Sequence, residues 1–236
     1  MQMRQTGNSE RCCEIKDSSI LRDSCTCLSR ILGYIEYRTA AVYHASATAL
    51  VQLDLVFARF LRAVGLSNED TLLNFGLSPL NARRDIAMLG LIHRTVIGEG
   101  PEQFRRFFVP ANRTNHPEGR RTLNAHDRQL RTYRTGKFPD LVGHSLLGAI
   151  DVYNLLPPYV VAAKDVKTFQ NRLQQILKLG ASEGMPGWTT FLSNRHLTFL
   201  HPLRMFGGFG RPGEYARVRD VNGDMQIVPA HQCVQG

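Results

Sequence analysis

The sequence predicts a mainly α-helical protein, an irregular helical bundle with a long basic loop and a small C-terminal β-hairpin. Apolar residues recur at steps of three and four over much of residues 28–108 and 145–182, which is the period of amphipathic helices. Between residues 109 and 143 this period disappears and arginines accumulate. Near the end of the chain, Asn222-Gly223 separates two short strand-like stretches, which predicts a hairpin with a type I′ turn.

The same observations divide the chain into three parts. Residues 1–27 are polar and without a period, and we expect them to form a flexible N-terminal arm. Residues 28–206 form the helical domain, which contains the basic loop at 109–143, and residues 207–236 form a glycine-rich tail with the hairpin. A chain of 236 residues, 43% of them hydrophobic, is long enough to bury a core without disulfides or metal ions.

The first two helices of the domain are predicted from their apolar faces. One spans about residues 28–45. Ser46 or Thr48 caps the next, whose apolar residues follow the i, i+3, i+4, i+7 pattern closely until Gly65 ends it.

Two further helix starts carry serine at the N-cap position. Ser67 opens a short helix that Gly76 closes, and an acid three residues after the serine completes a capping box. Ser78 caps the central helix of the chain, Pro79 occupies its first position, and Gly98 ends it. Most of this central helix is apolar, so we expect it to be buried.

Two arginines lie in the first turn of the central helix. Asp85 complements the positive end of the helix dipole, but Arg83 and Arg84 oppose it and need a partner outside the helix. That partner is a carboxylate, a chain terminus or a phosphate, and the simplest of these is an internal salt bridge through Asp85 or a neighbouring acid.

The second half of the domain begins with a short helix predicted over residues 102–108. Helix returns at Ser145 and ends before Pro157, because the residue before a proline disfavours helix. A further amphipathic helix spans about residues 165–182, and Trp188 anchors the following turn to the core.

The positive charge of the chain is concentrated. The net charge is +9, and residues 94–137 supply +6 of it, through ten basic residues against four acids. Arginine, which matches phosphate geometry, dominates this stretch. The loop at 109–143 is therefore either a mobile phosphate-binding arm or a solvated insertion.

Motifs for catalysis are incomplete, and we expect no enzymatic activity. Ser145 lies in a sequence similar to a nucleophile elbow, but Leu147 stands where the motif requires glycine. The glycines at 207–210 lack the lysine and hydroxyl residue of a phosphate-binding loop, and the histidines have no metal-ligand spacing.

Metals, cofactors and membranes are not expected either. Four cysteines near the N-terminus lack the usual spacing of a zinc site, so we expect free thiols in a reducing compartment. They are Cys12, Cys13, Cys25 and Cys27. The sequence has no signal peptide or apolar membrane span, which predicts an intracellular protein, nuclear or cytoplasmic.

Several motifs, in order, give the chain a family resemblance. The segments 34–45, 77–94, 153–157 and 166–170, followed by Trp188, resemble the region downstream of the polymerase domain in non-LTR (LINE-like) retrotransposon reverse transcriptases. The resemblance covers about residues 28–204. It implies a helical segment that helps to hold template RNA or target DNA.

The departures from this family imply a truncated, non-catalytic fragment. The Tyr/Phe-x-Asp-Asp motif of the polymerase palm is absent, as are the fingers and the nuclease domains. Only Arg83, Arg84 and His93-Arg94 match polar positions of the family motif. The resemblance therefore implies a retrotransposon-derived piece that cannot copy RNA alone.

The predicted function is electrostatic, sequence-tolerant binding of RNA or DNA. The predicted nucleic-acid-binding residues are Arg83, Arg84, Arg94, Arg105, Arg106, Arg113, Arg120, Arg121, Arg128, Arg131, Arg134 and Lys137. Two alternatives stay open: a helical module that docks a protein partner through exposed apolar faces, or a degenerate element without a function.

Overall fold

The computed structural model describes residues 39–111, 126–133, 139–196 and 203, together with 215–219 and 225–229. This part of the chain is mainly helical, as predicted. The predicted N-terminal arm, its four cysteines and most of the first predicted helix lie outside the described residues.

The helices before residue 106 follow one another with short connections, as do those after residue 138, and a long segment separates the two groups. In chain order they are α1 (Thr39–Val42), α2 (Ala47–Val64), α3 (Asn68–Phe75), α4 (Leu80–Val96), α5 (Glu102–Arg105), α6 (Pro139–Gly143), α7 (Ala149–Leu155), α8 (Pro158–Val161) and α9 (Val166–Ser182). Two 3₁₀ turns, Trp188–Thr190 and Asn194–His196, come after α9.

Capping residues set the bounds of α2 and α3 as the sequence predicts. The Ser46 hydroxyl accepts a hydrogen bond from the backbone of α2, and Gly65 ends that helix in the left-handed conformation. Ser67 and Asp70 form a complete capping box on α3, and Gly76, also left-handed, ends it. The later helix α9 also has a capped start, at Asp165.

The central helix α4 begins differently from the prediction. Pro79 is its N-cap residue, and no side chain caps it. The Ser78 hydroxyl is buried and has no hydrogen-bond partner among the described residues. The predicted serine cap is therefore wrong here, because the chain turns Ser78 into the core instead of toward the first N–H groups of the helix.

Two other helices are shorter than their patterns predict. The segment predicted as helix over 102–108 is helical only over Glu102–Arg105, and Phe108 is buried beyond the helix end. Helix α7 starts at Ala149, because the Ser145 hydroxyl bonds the Val142 carbonyl and supports a turn.

The core lies between α4, α7 and α9. Leu89 and Ile92 of α4, Ile150 and Tyr153 of α7, and Phe169 of α9 belong to one cluster of buried residues. Trp188 is buried in the same cluster, which confirms that it anchors the turn after α9.

Strands β1 (Tyr215–Arg219) and β2 (Met225–Pro229) pair antiparallel. Arg219 pairs with Met225, so residues 220–224 connect the strands. The predicted type I′ turn at Asn222-Gly223 lies outside the described residues.

Candidate nucleic-acid interface

Four of the predicted nucleic-acid-binding residues are exposed in the described part of the chain. They are Arg94, Arg105, Arg106 and Arg131, and we call this set the basic edge. Arg94 lies in the last turn of α4, where a cation is favoured by the helix dipole, and Arg105 ends α5.

Backbone contacts bring these arginines to one region of the fold. The Arg105 guanidinium donates to the carbonyl of Gly98, just beyond α4, at 3.1 Å. The Arg131 backbone N–H donates to the Val109 carbonyl at 2.9 Å, which joins the segment after α5 to the segment around Leu130. The basic edge is therefore formed by the end of α4, by α5 and by this pair of extended segments.

Further contacts join the same two segments, residues 109–111 and 129–131. The Ala111 N–H donates to the Gln129 carbonyl at 2.8 Å, and Pro110 and Leu130 form a β-bridge. The Asn154 side chain also donates to the carbonyl of Leu130 and accepts from its N–H, at 2.7 and 2.8 Å. Segments 109–111 and 129–131 therefore lie side by side at the basic edge, and residues 112–125, between them in the sequence, lie outside the described residues.

Three acids, Glu99, Glu102 and Asp127, are exposed along the same stretches of the chain. With these acids, the described basic edge carries only a small excess of positive charge. The larger excess, five basic residues against Glu118 alone, belongs to residues 112–125 and 134–138. Those five predicted site residues lie outside the described residues: Arg113, Arg120, Arg121, Arg134 and Lys137.

Aromatic side chains lie between the arginines. The guanidinium carbon of Arg106 lies 4.7 Å from the centre of the half-buried Phe107 ring. The Tyr133 hydroxyl donates to the Phe107 carbonyl at 2.9 Å. The rings of Phe104 and Phe108 are 6.4 Å apart, and both belong to or pack against the core.

Arg128 has a different environment from the exposed arginines. Its guanidinium nitrogen Nη1 donates to the carbonyls of Val161 and Ala163 at 2.7 and 3.1 Å, at the C-terminal end of α8. The side chain is half-buried and neutralises carbonyl groups that end a helix. Arg128 therefore holds α8 in place, and it uses for this a guanidinium nitrogen that would otherwise donate to a phosphate.

Arg84 is also occupied within the protein. It is buried and forms an ion pair with Asp54 of α2, at 2.8 Å between Nη2 and Oδ2. Of the three partners that the sequence leaves open, a carboxylate of the same protein is therefore the one that Arg84 binds. Arg83, its neighbour, is half-buried.

A buried polar cluster, which sequence reasoning missed, surrounds the start of α4. The Tyr43 hydroxyl donates to Asn194 Oδ1 at 2.9 Å, and the Asn194 amide donates to the carbonyls of Gly143 and Ser145. The Arg195 guanidinium donates to the carbonyl of Tyr43 at 2.6 Å. These hydrogen bonds join three segments that are distant in the sequence, around Tyr43, Gly143 and Asn194.

Asp85 lies within this cluster and is buried. Burial raises its pKa to about 8, although Arg84 and Arg195 oppose the shift. The Tyr43 pKa is raised as well, first by burial and then by Asp85. Because Tyr43 gives its one proton to Asn194, a protonated Asp85 can donate to the Tyr43 hydroxyl oxygen.

A second buried cluster surrounds His93, near the end of α4. Its Nε2 lies 3.2 Å from the Ala163 carbonyl, which only accepts, so Nε2 carries the proton and Nδ1 accepts from the Tyr153 hydroxyl at 3.1 Å. The ring stacks on Phe169 with 4.0 Å between centres. Burial lowers the His93 pKa to about 4, so the imidazole is neutral.

His126 is held in the same tautomer. Its Nε2 donates to the Tyr153 carbonyl at 3.0 Å, and its Nδ1 accepts from the Arg128 N–H at 3.2 Å. Burial lowers its pKa too. Both histidines therefore satisfy backbone and hydroxyl groups in the core. The sequence offers only two indications of these contacts. His93 lies on a helix that is predicted to be buried, and Arg128, whose N–H binds His126, follows it by two residues.

Three further features of the described residues concern metal binding, membrane crossing and the Ser145 hydroxyl. Among the described residues, no group of three His, Cys, Asp or Glu side chains is placed to bind a metal ion. Within the same residues, no helix combines the length and hydrophobicity needed to cross a membrane. The Ser145 hydroxyl donates to Val142 and accepts from the Leu147 N–H at 3.1 Å, contacts that belong to a local turn.

Comparison of the chain with protein-family models, with curated proteins and with solved structures finds no match. The resemblance to reverse transcriptases of non-LTR retrotransposons therefore stays a prediction from the motifs alone.

Proposed function

We propose that this protein is a non-catalytic, retrotransposon-derived fragment that binds RNA or DNA electrostatically, with tolerance for sequence. The observation that carries the proposal is the exposed basic edge, which the end of α4, α5 and the paired segments 109–111 and 129–131 form together. In the sequence, residues 112–125 add three arginines against one acid to the positive charge of this part of the chain.

Phosphate contacts account for this kind of binding. A guanidinium donates two parallel hydrogen bonds to a phosphate, and each contact releases counterions from the nucleic acid. Contacts to the backbone carry no base information, so they produce affinity without sequence preference. Arg84 and Arg128 are left out of the proposed interface because carboxylate and carbonyl oxygens of the protein occupy their guanidinium groups.

A salt series tests the proposal. Binding of the purified protein to a fluorescent RNA and to a DNA duplex is measured between 50 and 300 mM KCl, each about 20 nucleotides or base pairs long. We expect a log–log slope of several units, which falls by about one unit for each of Arg105→Ala, Arg106→Ala and Arg131→Ala.

The matched controls are Arg59→Ala and Arg62→Ala. Both arginines are exposed, but they lie on α2, which the Asp54–Arg84 ion pair joins to the opposite end of α4. These variants should retain the wild-type slope. No binding at 50 mM salt, or equal losses from the α2 and basic-edge variants, would contradict the proposed interface.

A second candidate function is docking of another protein through α2. Its side chains Val51, Leu55 and Val56 are 50%, 38% and 49% exposed, although each is large and apolar. If α2 mediates self-association, light scattering should give a mass above the monomer for the wild type and the monomer mass for Val51→Ser/Val56→Ser. A wild type that is monomeric at all concentrations contradicts this form of the candidate.

A further inference from the structure

We propose that the basic edge prefers single-stranded nucleic acid to duplex, because an unpaired base stacks on the Arg106–Phe107 pair. This inference rests on the proposed function and deepens it, since it names the form of nucleic acid that the site takes. The observations that carry it are the exposure, the fixed backbone and the surroundings of Phe107.

Phe107 differs from the other two phenylalanines around α5. Phe108 is 6% exposed and belongs to the core cluster, and Phe104 packs against that cluster. Phe107 is half-buried, and the exposed Arg106 places its guanidinium against the ring. A large aromatic ring with this surrounding is typical of a stacking platform for bases.

The backbone of Phe107 is held in place by two hydrogen bonds. Its N–H donates to the Phe104 carbonyl at 2.9 Å, and its carbonyl accepts from the Tyr133 hydroxyl at 2.9 Å. Tyr133 itself packs against the core. The platform is therefore attached to the folded domain, which lowers the entropy that binding must overcome.

The guanidinium of Arg106 adds a second planar group next to the ring. It lies 4.7 Å from the ring centre, in the range of a cation–π contact. Bases stack on aromatic rings and on guanidinium planes alike, and every base has a face to offer, so stacking keeps the binding tolerant of sequence. Arg105 and Arg131, the other exposed arginines on these segments, are available to bind the neighbouring phosphates.

Strand state decides whether this platform is used. In a duplex each base is already paired and stacked on its neighbours, so only the phosphates are available to the protein. In a single strand a base is free to turn out and stack on the platform. The two contributions therefore separate: the arginines act on both forms, whereas the Phe107 ring acts on single strands alone.

The test compares a single-stranded 15-mer with a duplex of the same sequence, in RNA and in DNA, by fluorescence anisotropy at 100 mM KCl. We expect the wild type to bind the single strand about tenfold more tightly, the effect of one stacked base. Phe107→Ala should remove that advantage, with a change below about twofold for the duplex and an unaltered salt slope.

Two further variants keep the result interpretable. Phe107→Leu retains an apolar side chain but has no π face, so it should lose the preference even if Phe107→Ala destabilises the fold. Phe107→Trp should retain or increase it. Arg105→Ala should weaken both forms and lower the salt slope by about one unit.

Three results would overturn the inference. Equal affinity of the wild type for single strand and duplex, or a Phe107→Leu variant that keeps the preference, contradicts stacking but leaves electrostatic binding standing. Absence of binding to either form overturns both this inference and the proposed function.

Discussion

At the scale of single residues, two serines that precede helices have opposite roles. Ser67 accepts a hydrogen bond from the Asp70 N–H at 3.0 Å, and the Asp70 carboxylate accepts from the Ser67 N–H at 3.2 Å. These contacts lower the Asp70 pKa, because the Ser67 hydroxyl and N–H both stabilise the charged form. Ser78, in a similar sequence position, is buried without such a partner among the described residues.

We therefore expect Ser67→Ala to lower the free energy of unfolding by about 1 kcal/mol, the usual effect of a lost N-cap. Ser78→Ala should leave it unchanged or raise it by up to about 1 kcal/mol, because it removes a buried hydroxyl that makes no hydrogen bond. Urea unfolding followed by the fluorescence of Trp188, the one tryptophan of the chain, measures both. A larger loss for Ser78→Ala than for Ser67→Ala would contradict the assignment.

Single residues also show which contacts the sequence does not predict. The sequence indicates that Arg84 needs an acid, but Asp54, the acid it finds, lies thirty residues earlier on another helix. Asp85 and His93 lie on a helix that the apolar pattern predicts to be buried. Their partners Tyr43 and Ala163 come from segments whose position depends on tertiary packing, so no local pattern indicates them.

At the scale of elements, helix starts with side-chain caps were predictable and shortened helices were not. A cap is a local contact between residues two or three positions apart, so the sequence contains it. The length of α5 depends on Phe108, which leaves the helix to enter the core. The predicted site shows the same division. The exposure of Arg105 can be predicted from its helix face, whereas the hydrogen bonds of Arg128 to carbonyls at the end of α8 cannot be predicted from the local sequence.

Contacts between helices lead to a prediction for two buried glycines. A Cβ added at Gly180 of α9 would lie 2.7 Å from the Phe191 ring and 3.0 Å from Cβ of Trp188, groups that the core holds in place. A Cβ at Gly90 of α4 would lie 2.6 Å from the amide nitrogen of Gln170, the end of a flexible side chain.

Gly180→Ala should therefore lower the free energy of unfolding by about 2 kcal/mol, the usual effect of overpacking. Gly90→Ala should change it by less than about 1 kcal/mol, because the better helix propensity of alanine offsets the displacement of Gln170. Thermal unfolding by circular dichroism compares the two variants. If Gly90→Ala were the more destabilising, the contact between α4 and α9 would be tighter than the one between α9 and the following 3₁₀ turn.

At the scale of the whole molecule, the two buried clusters on α4 give the stability opposite dependences on pH. Asp85 has a pKa of about 8 in the folded protein and about 4 in an unfolded chain. Between these values the folded protein holds a proton that the unfolded chain releases. The free energy of unfolding contributed by Asp85 is therefore fully present below pH 4 and is lost as the pH rises toward 8.

His93 acts in the opposite direction over a lower range. Its pKa is about 4 in the folded protein and about 6.5 when unfolded, so below pH 6.5 the unfolded chain takes up a proton that the folded protein does not. Stability from His93 therefore falls as the pH is lowered from 6.5 toward 4. Burial also lowers the His126 pKa, so His126 contributes in the same direction. Between pH 4 and 6.5 the histidines oppose Asp85, and above pH 6.5 the Asp85 contribution remains.

We therefore expect the free energy of unfolding of the wild type to fall between pH 6.5 and 8, with a slope of up to about 1.4 kcal/mol per pH unit. Asp85→Asn, which cannot ionise, should remove this fall and leave a free energy that rises from pH 4 to 6.5 and is then level. Glu69→Gln, which changes an exposed carboxyl of α3, should keep the wild-type profile. Urea unfolding at half-unit steps of pH measures all three proteins. A wild type without this fall would mean that the start of α4 is anchored by an ionised carboxylate between Arg84 and Arg195, rather than by a protonated one. A fall that persists in Asp85→Asn would mean that another group causes it.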